Sequence, residues 1–337
     1  MKLLLACFHV GFLLLIFSNL VAEEQEQIFS LTEFEKARVY KKTLSIPDAY
    51  ELEVQVTGHT EAGKDKVFLY DEANQPLVNA PLSGQIDWHE VIVSSTVRVE
   101  VKTGTRVTDG ELTVKIAKKD SNQVYREIKT KLVTSANKLL EINAVEIKTA
   151  LEQHFQETAA LRDKINETQE VKKFVPEAIN NLMSLAKIYH SLIAKHAALT
   201  RAHQQELEEI RLLKQRTQGY QNKARENVKL AASTPEAKNA ADLSTMYAAE
   251  QALWEKLFAQ QLELETKLIG FSKKISTLLD ILTERAKIYQ KSADLALMSE
   301  AVWGVLKEFT TEVELQQLSS EIGNEDDAIR ALLTQFQ

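Results

Sequence analysis

Cysteine is almost missing from this chain. Of its 337 residues only Cys7 is one, and it falls in an apolar leader. From residue 23 onward, disulfides, a cysteine nucleophile and thiolate metal sites are therefore excluded. Glycine and proline are sparse, at ten and five, and unevenly placed. Five of the glycines (58, 63, 84, 104 and 110) and three of the prolines (47, 76 and 81) lie between residues 23 and 119. The much longer stretch from 120 to 337 has four glycines and two prolines, so short elements with many turns give way to long uninterrupted ones near Asp120. Positive charge is not in excess either. Forty-one basic against 48 acidic residues give a net charge of −7, without the basic footprint of a nucleic-acid binder. No phosphate-cradling glycine loop and no Gly-x-Ser-x-Gly elbow is present. No cofactor is expected, and an enzyme is the least supported class.

What is present begins with the leader. Met1-Lys2 is followed by an apolar run from Leu3 to Phe17, then Ser18-Asn19-Leu20-Val21-Ala22 and the acidic Glu23-Glu24. A charged start, a short apolar core and a small residue before a polar stretch read as a secretory signal over residues 1–22, cut after Ala22. The alternative is an uncleaved anchor, because Leu3 to Ala22 just reaches the ~20 residues that span a bilayer. Leu4-Leu5-Ala6-Cys7 has the look of a lipid-attachment box, but the apolar stretch follows the cysteine instead of preceding it, and an ordinary leader cysteine is the better reading. An exported chain without disulfides points to a secreted or periplasmic protein of a bacterial envelope. Asn166-Glu167-Thr168, a glycosylation sequon inside a helical pattern, is read as chance.

Between residues 23 and 119 the apolar period is two. Leu52, Val54 and Val56 alternate with polar residues, as do Val97, Val99 and Val101, and then Leu112, Val114 and Ile116. Val67 to Tyr70 and Val91 to Val93 are short apolar runs between turn residues. This predicts an antiparallel β-sandwich of jelly-roll type. From Asp120 the period becomes helical. Val124, Ile128, Leu132, Leu139, Ile147, Leu151 and Phe155 mark one stretch, Pro176-Glu177-Ala178 opens a second, and Thr234-Pro235-Glu236-Ala237 opens a third. In the third, Leu257, Gln261, Leu264, Leu268, Phe271, Ile275, Leu278, Leu282, Arg285 and Tyr289 repeat at spacings of four and three, a coiled-coil seam. Helices of roughly 50 residues, ~75 Å long, predict an antiparallel bundle, capped by shorter helices around Ala293–Leu318 and Glu325–Phe336. The expected architecture is α+β in two domains, a sandwich over 23–119 and an elongated helical bundle or coiled coil over 120–337.

Residues 44 to 116 resemble a CUB domain. The likeness runs through Ile46-Pro47, Asp65-Lys66-Val67-Phe68-Leu69-Tyr70-Asp71, Leu82-Ser83-Gly84, Val93-Ser94-Ser95-Thr96-Val97-Arg98-Val99 and Gly110-Glu111-Leu112-Thr113-Val114. It covers about a fifth of the chain and implies an extracellular β-sandwich. The family's cysteines are absent. Many of its members bind calcium through a glutamate and two aspartates that orient a partner's lysine. Here only Asp65 falls at such a position, and Thr103-Gly104 stands where a second aspartate would be. Calcium-dependent partner binding is therefore not implied.

Four groups of residues invite a functional reading, each beside a plainer one. His59, Glu61, Asp65 and Asp71 offer calcium-type oxygen ligands, against a solvated loop neutralised by Lys64 and Lys66. Trp88, ahead of His89-Glu90, offers a partner-stacking surface at a loop edge, against a plug for the end of the sandwich. His196 and His203 lie two turns apart on one face of the second helix, fit to bind a metal with Glu206 or to sense acid, against polar seam positions that fix register. Trp303 and Leu306, on the apolar line from Ala293 to Phe309, offer a membrane-binding face, against a bundle core. The function that follows is a non-enzymatic interaction or structural protein. Its sandwich meets a protein or glycan, and its helical rod supplies reach or a homo-oligomer contact. The alternative is a helical bundle that binds lipid or forms pores at a membrane surface.

Overall fold

The computed structural model describes residues 26–104, 108–143, 175–233, 240–295 and 313–336, with short helical pieces within 151–160. Seven strands come first: β1 (Glu26–Phe34), β2 (Val39–Ser45), β3 (Leu52–His59), β4 (Lys66–Tyr70), β5 (Gln85–Ile92), β6 (Thr96–Lys102) and β7 (Thr108–Lys118). Among the described residues four helices of more than 20 residues follow: α1 (Ser121–Asn143), α2 (Val175–Ser233), α3 (Ala240–Leu295) and α4 (Val313–Leu333), the last closed by a 3-10 turn at Thr334–Phe336. The architecture is α+β, an antiparallel two-sheet region followed by long helices.

The strands form a four-stranded sheet, β1-β7-β3-β5, and a three-stranded sheet, β2-β6-β4, with every pairing antiparallel. The three alternating triplets read from the sequence, at 52–56, 97–101 and 112–116, point into one shared core and are fully buried. Leu44, Val67 and Leu69 join them from the smaller sheet, and Phe34, Ile86 and Ile92 from the larger. Burial of branched side chains on one face of each strand locks the register, since a one-residue slip would turn the whole set to water. At one point the sheet tolerates only glycine. Gly58 has a φ of +141°, and a Cβ there would lie 2.0 Å from the carbonyl oxygen of Glu111 on β7.

The chain divides into two compact units. One runs up to Tyr125 and takes in Gly219–Gln251, the end of α2 and the start of α3; the other comprises Arg126–Gln218 and Ala252 onward. In the first unit the two helix ends are held at the turn before β3. The Asp48 carboxylate accepts from Lys118 Nζ at 2.9 Å and from the Tyr247 hydroxyl at 3.4 Å, and Asn227 Nδ2 donates to the Asp48 carbonyl at 3.0 Å. Tyr50 meets Tyr220 edge to face, centroids 4.8 Å apart. Burial, with the adjacent Asp48 carboxylate, pushes the Tyr247 hydroxyl up to about 12.

In the second unit, polar pairs reveal the helix directions. Glu127–Arg216 at 3.8 Å and Lys138–Glu206 at 3.2 Å join α1 to α2, and His203–Ser272 and Lys214–Glu265 join α2 to α3. In each case one number rises as its partner falls, so neighbours run antiparallel. Of the ten positions at four-and-three spacing in the third helical stretch, eight are buried: Leu257, Gln261, Leu264, Leu268, Phe271, Ile275, Leu278 and Leu282. The side chains of Arg285 and Tyr289 lie outside the described ones. The expected break between Leu318 and Glu325 is absent. α4 runs unbroken through Gly323, because Leu315, Ile329, Leu332 and Leu333 are buried along it. Lys274 of α3 reaches Glu321 at 3.2 Å and Glu325 at 2.9 Å, tying α4 on both sides of the glycine. A glycine inside a helix costs only about 1 kcal/mol, which such burial exceeds.

Candidate functional site

Alternation that sends valines into the core sends other residues out, and on the β2-β6-β4 sheet these form an unusual surface. Cross-strand register places Val39, Lys102 and Lys66 in one outward row, then Lys41, Glu100 and Phe68, then Thr43, Arg98 and Tyr70, and last Ser45 and Thr96. The Phe68 and Tyr70 rings stack with centroids 6.4 Å apart and planes 11° from parallel. Each ring carries a cation: Arg98 Cζ lies 4.6 Å from the Tyr70 centroid, and Lys102 Nζ 4.8 Å from that of Phe68. Arg98 also donates to Asn74 Oδ1.

Glu100 is the one carboxylate in these rows. It is sunk among its neighbours and bridges two lysines, Lys41 Nζ at 3.3 Å and Lys102 Nζ at 3.1 Å. Burial alone would push its carboxyl up, but hydrogen bonds from both ammonium groups, and their charge, bring it below the ordinary carboxylate value. Lys66 is exposed and has no ion-pair partner among the described residues. Four cations and one buried anion thus share a sheet face on a chain of net charge −7. Sequence reasoning missed this surface because Val67 to Tyr70 reads as a continuous apolar run. Only the register reveals that Phe68 and Tyr70 point away from the core that takes Val67 and Leu69.

The carboxylates proposed as calcium ligands are occupied otherwise. Asp65 is completely buried; its Oδ2 accepts from Glu61 N at 3.0 Å and its Oδ1 from Gly104 N at 2.7 Å. Gly104, next to Thr103, thus meets the Asp65 carboxylate through its backbone N–H. Glu61 pairs with Lys64, and Asp71 accepts from Gln75 N at 2.7 Å within its own turn. His59 is exposed at the end of β3. Among the described residues no three His, Cys, Asp or Glu side chains stand together so as to hold a metal ion. Trp88 sits within β5 rather than at a loop edge. It lies opposite the buried Val56 and is partly buried against the core, because Ile86, Trp88 and Ile92 share the inward face.

In the helical unit, His203 is buried on α2. Its Nδ1 lies 3.3 Å from Ser272 Oγ on α3, and its Nε2 has no hydrogen-bond partner. The side chain of His196, and all of Trp303 and Leu306, lie outside the described residues. Among the described residues no helix is long and apolar enough to cross a membrane. A shallow cleft of about 350 Å³ between α1 and α2 is lined by Lys131, Thr134, Ser135, Lys138, Gln205 and Glu206. Burial holds the His203 imidazole below its ordinary value of 6.5. An unfolded imidazole binds its proton at that ordinary value, whereas the folded one resists it. The stability this neutral histidine supports is therefore complete above about pH 6.5 and declines as pH falls toward the lowered folded value. Urea midpoints at pH 8 and pH 5.5 are expected to differ less in His203→Leu than in the parent chain; an unchanged difference would assign the pH response elsewhere.

No family model matches this chain, and no curated protein does.

Proposed function

We propose that this chain is an extracytoplasmic, non-enzymatic interaction protein. Its two-sheet unit, a CUB-like sandwich without disulfides, is the recognition module; its long helices, with the seam from Leu257 to Leu282 taken as coiled coil, serve docking or self-association. The observation that carries this reading is the outward face of the β2-β6-β4 sheet. There, aromatic rings and a sunken carboxylate fix cations in place at the protein surface, an arrangement suited to contact. The leader at residues 1–22 supports placement outside the cytoplasm, with retention as a membrane anchor the alternative.

The test has two readouts. Fractionation of cells expressing the full chain is expected to place it outside the cytoplasm, with Glu23 as the new N-terminus. Co-sedimentation of the purified chain with uncharged phosphatidylcholine vesicles is expected to leave it in the supernatant. Cytoplasmic retention would overturn the reading. So would vesicle binding that is lost on combining Trp303→Ala with Leu306→Asp, in favour of a membrane-acting bundle.

A further inference from the structure

Resting on that reading, we propose that the outward face of the β2-β6-β4 sheet binds a linear acidic polysaccharide, carrying carboxylate or sulfate groups, laid along the strands at Lys41, Lys66, Arg98 and Lys102.

Charge selects an anion. Four cations face outward around a single carboxylate, and that carboxylate has only 11% of its side chain exposed, beneath Lys41 and Lys102. The chain as a whole is acidic, so the sign reverses locally, and such a patch concentrates anions against the surrounding field. The cations are also held before any ligand arrives. Arg98 is fixed by the Tyr70 ring and Asn74, Lys102 by the Phe68 ring and Glu100, and Lys41 by Glu100. Long basic side chains ordinarily lose much rotamer freedom on binding, and here part of that loss is already met.

Size selects a narrow partner. Three strands ~4.8 Å apart and the seven residues of β6 at ~3.4 Å each define a face of roughly 10 by 23 Å. That is far below the ~800 Å² that each partner contributes to an ordinary stable protein interface. A chain one sugar wide fits it. Lys66 and Lys102 stand directly opposite each other, and Arg98 lies four residues from Lys102 along β6, ~13 Å away, so the cations recur over a length suited to successive acid groups. Thr43 continues the face with an exposed hydroxyl that matches those of a sugar, whereas the Ser45 and Thr96 hydroxyls lie 3.0 Å apart and bond each other.

Apolar exposure argues against a bilayer as the occupant. Of the large apolar residues most exposed on the strands and the turns between them, Ile28 and Val91 belong to strands of the other sheet and Val93 to the turn after β5. Of these only Val39 shares this face, and the outward rings of Phe68 and Tyr70 are half-buried and covered by Lys102 and Arg98, which leaves too little apolar surface to enter a headgroup region.

The experiment is binding of the purified full chain, at 50 mM and 300 mM NaCl, to dextran sulfate and polygalacturonate. Neutral dextran, polyglutamate and anionic phosphatidylglycerol vesicles are run alongside. Binding to at least one acidic polysaccharide is expected, weakened at the higher salt. Lys66→Glu, which breaks no ion pair among the described residues, is expected to weaken it about 3-fold, and Lys66→Glu with Lys102→Glu about 10-fold or more. Lys229→Glu with Lys273→Glu, the same change of net charge on the helices, is expected to leave it unchanged, and far-UV circular dichroism verifies that each variant folds. The proposal is overturned by failure to bind either polysaccharide at 50 mM NaCl, by equal binding to neutral dextran, or by equal loss in the helix variant. Tighter binding to polyglutamate or to the vesicles overturns it too, assigning the face to an acidic protein or a membrane. If export and indifference to uncharged vesicles hold while the polysaccharides fail, only the partner class falls and the broader function stands.

Discussion

Gly58→Ala is expected to destabilise the two-sheet unit by about 3–5 kcal/mol, the sum of a backbone and a steric effect. The φ of +141° lies where an L-residue rarely goes, and the new methyl would sit 2.0 Å from the Glu111 carbonyl oxygen and 2.9 Å from the Leu112 Cα. Both obstacles are backbone atoms of β7, which is held between β1 and β3, so neither can swing aside. Relief would require opening the β3–β7 ladder next to Val56 and Leu112, both fully buried. A domain stable by only about 5–15 kcal/mol cannot lose this much without a large fall in its unfolding midpoint. Gly63→Ala is the internal comparison. Its φ is +77°, and nothing lies within 4 Å of the added carbon, so only the left-handed backbone term of about 1–2 kcal/mol remains. Thermal melts followed by tryptophan fluorescence and circular dichroism separate the two. Equal midpoints would mean that β7 yields at no cost and that the close approach does not constrain the sheet.

Much of the fold was legible because burial imposes a period. The triplets at 52–56, 97–101 and 112–116 announced their strands, and the change of spacing near Asp120 marks where β7 ends at Lys118 and α1 starts at Ser121. Strands with weaker apolar alternation were not legible. In β2, Lys41-Lys42-Thr43 interrupts the pattern, and β2 is an edge strand whose inward positions are only partly covered. In β5, His89-Glu90-Val91 are all exposed, which left Val91 to Val93 looking like the strand when it begins at Gln85. The candidate surface stayed hidden for a different reason: its cations and rings come from three strands spread over some sixty residues, and only cross-strand pairing brings them into rows. The seating of residues 219–251 at Asp48 and Tyr50 is likewise a long-range contact, and long-range polar contacts of that kind leave no local pattern.

Trp254→Ala is expected to destabilise the helical unit by about 3–5 kcal/mol, the usual result of emptying a buried indole site. Trp254 lies three residues before Leu257 and so extends the four-and-three spacing of the seam by one step toward the N-terminus of α3. It is among the largest fully buried side chains of the chain. The seam around it has little reserve. Seven residues on, Gln261 is buried with neither end of its amide paired among the described residues, and such a group costs its own desolvation. With that penalty already present, the cavity left by an indole adds a second cost to the same buried face. Trp254→Phe keeps most of the volume and is expected to cost less than half as much, which separates lost packing from any wider misfolding. Urea unfolding monitored at 222 nm, where the long helices dominate the signal, measures both. A Trp254→Ala midpoint within about 1 kcal/mol of the parent would show that the neighbouring helices close over the gap, as only a loosely packed seam can.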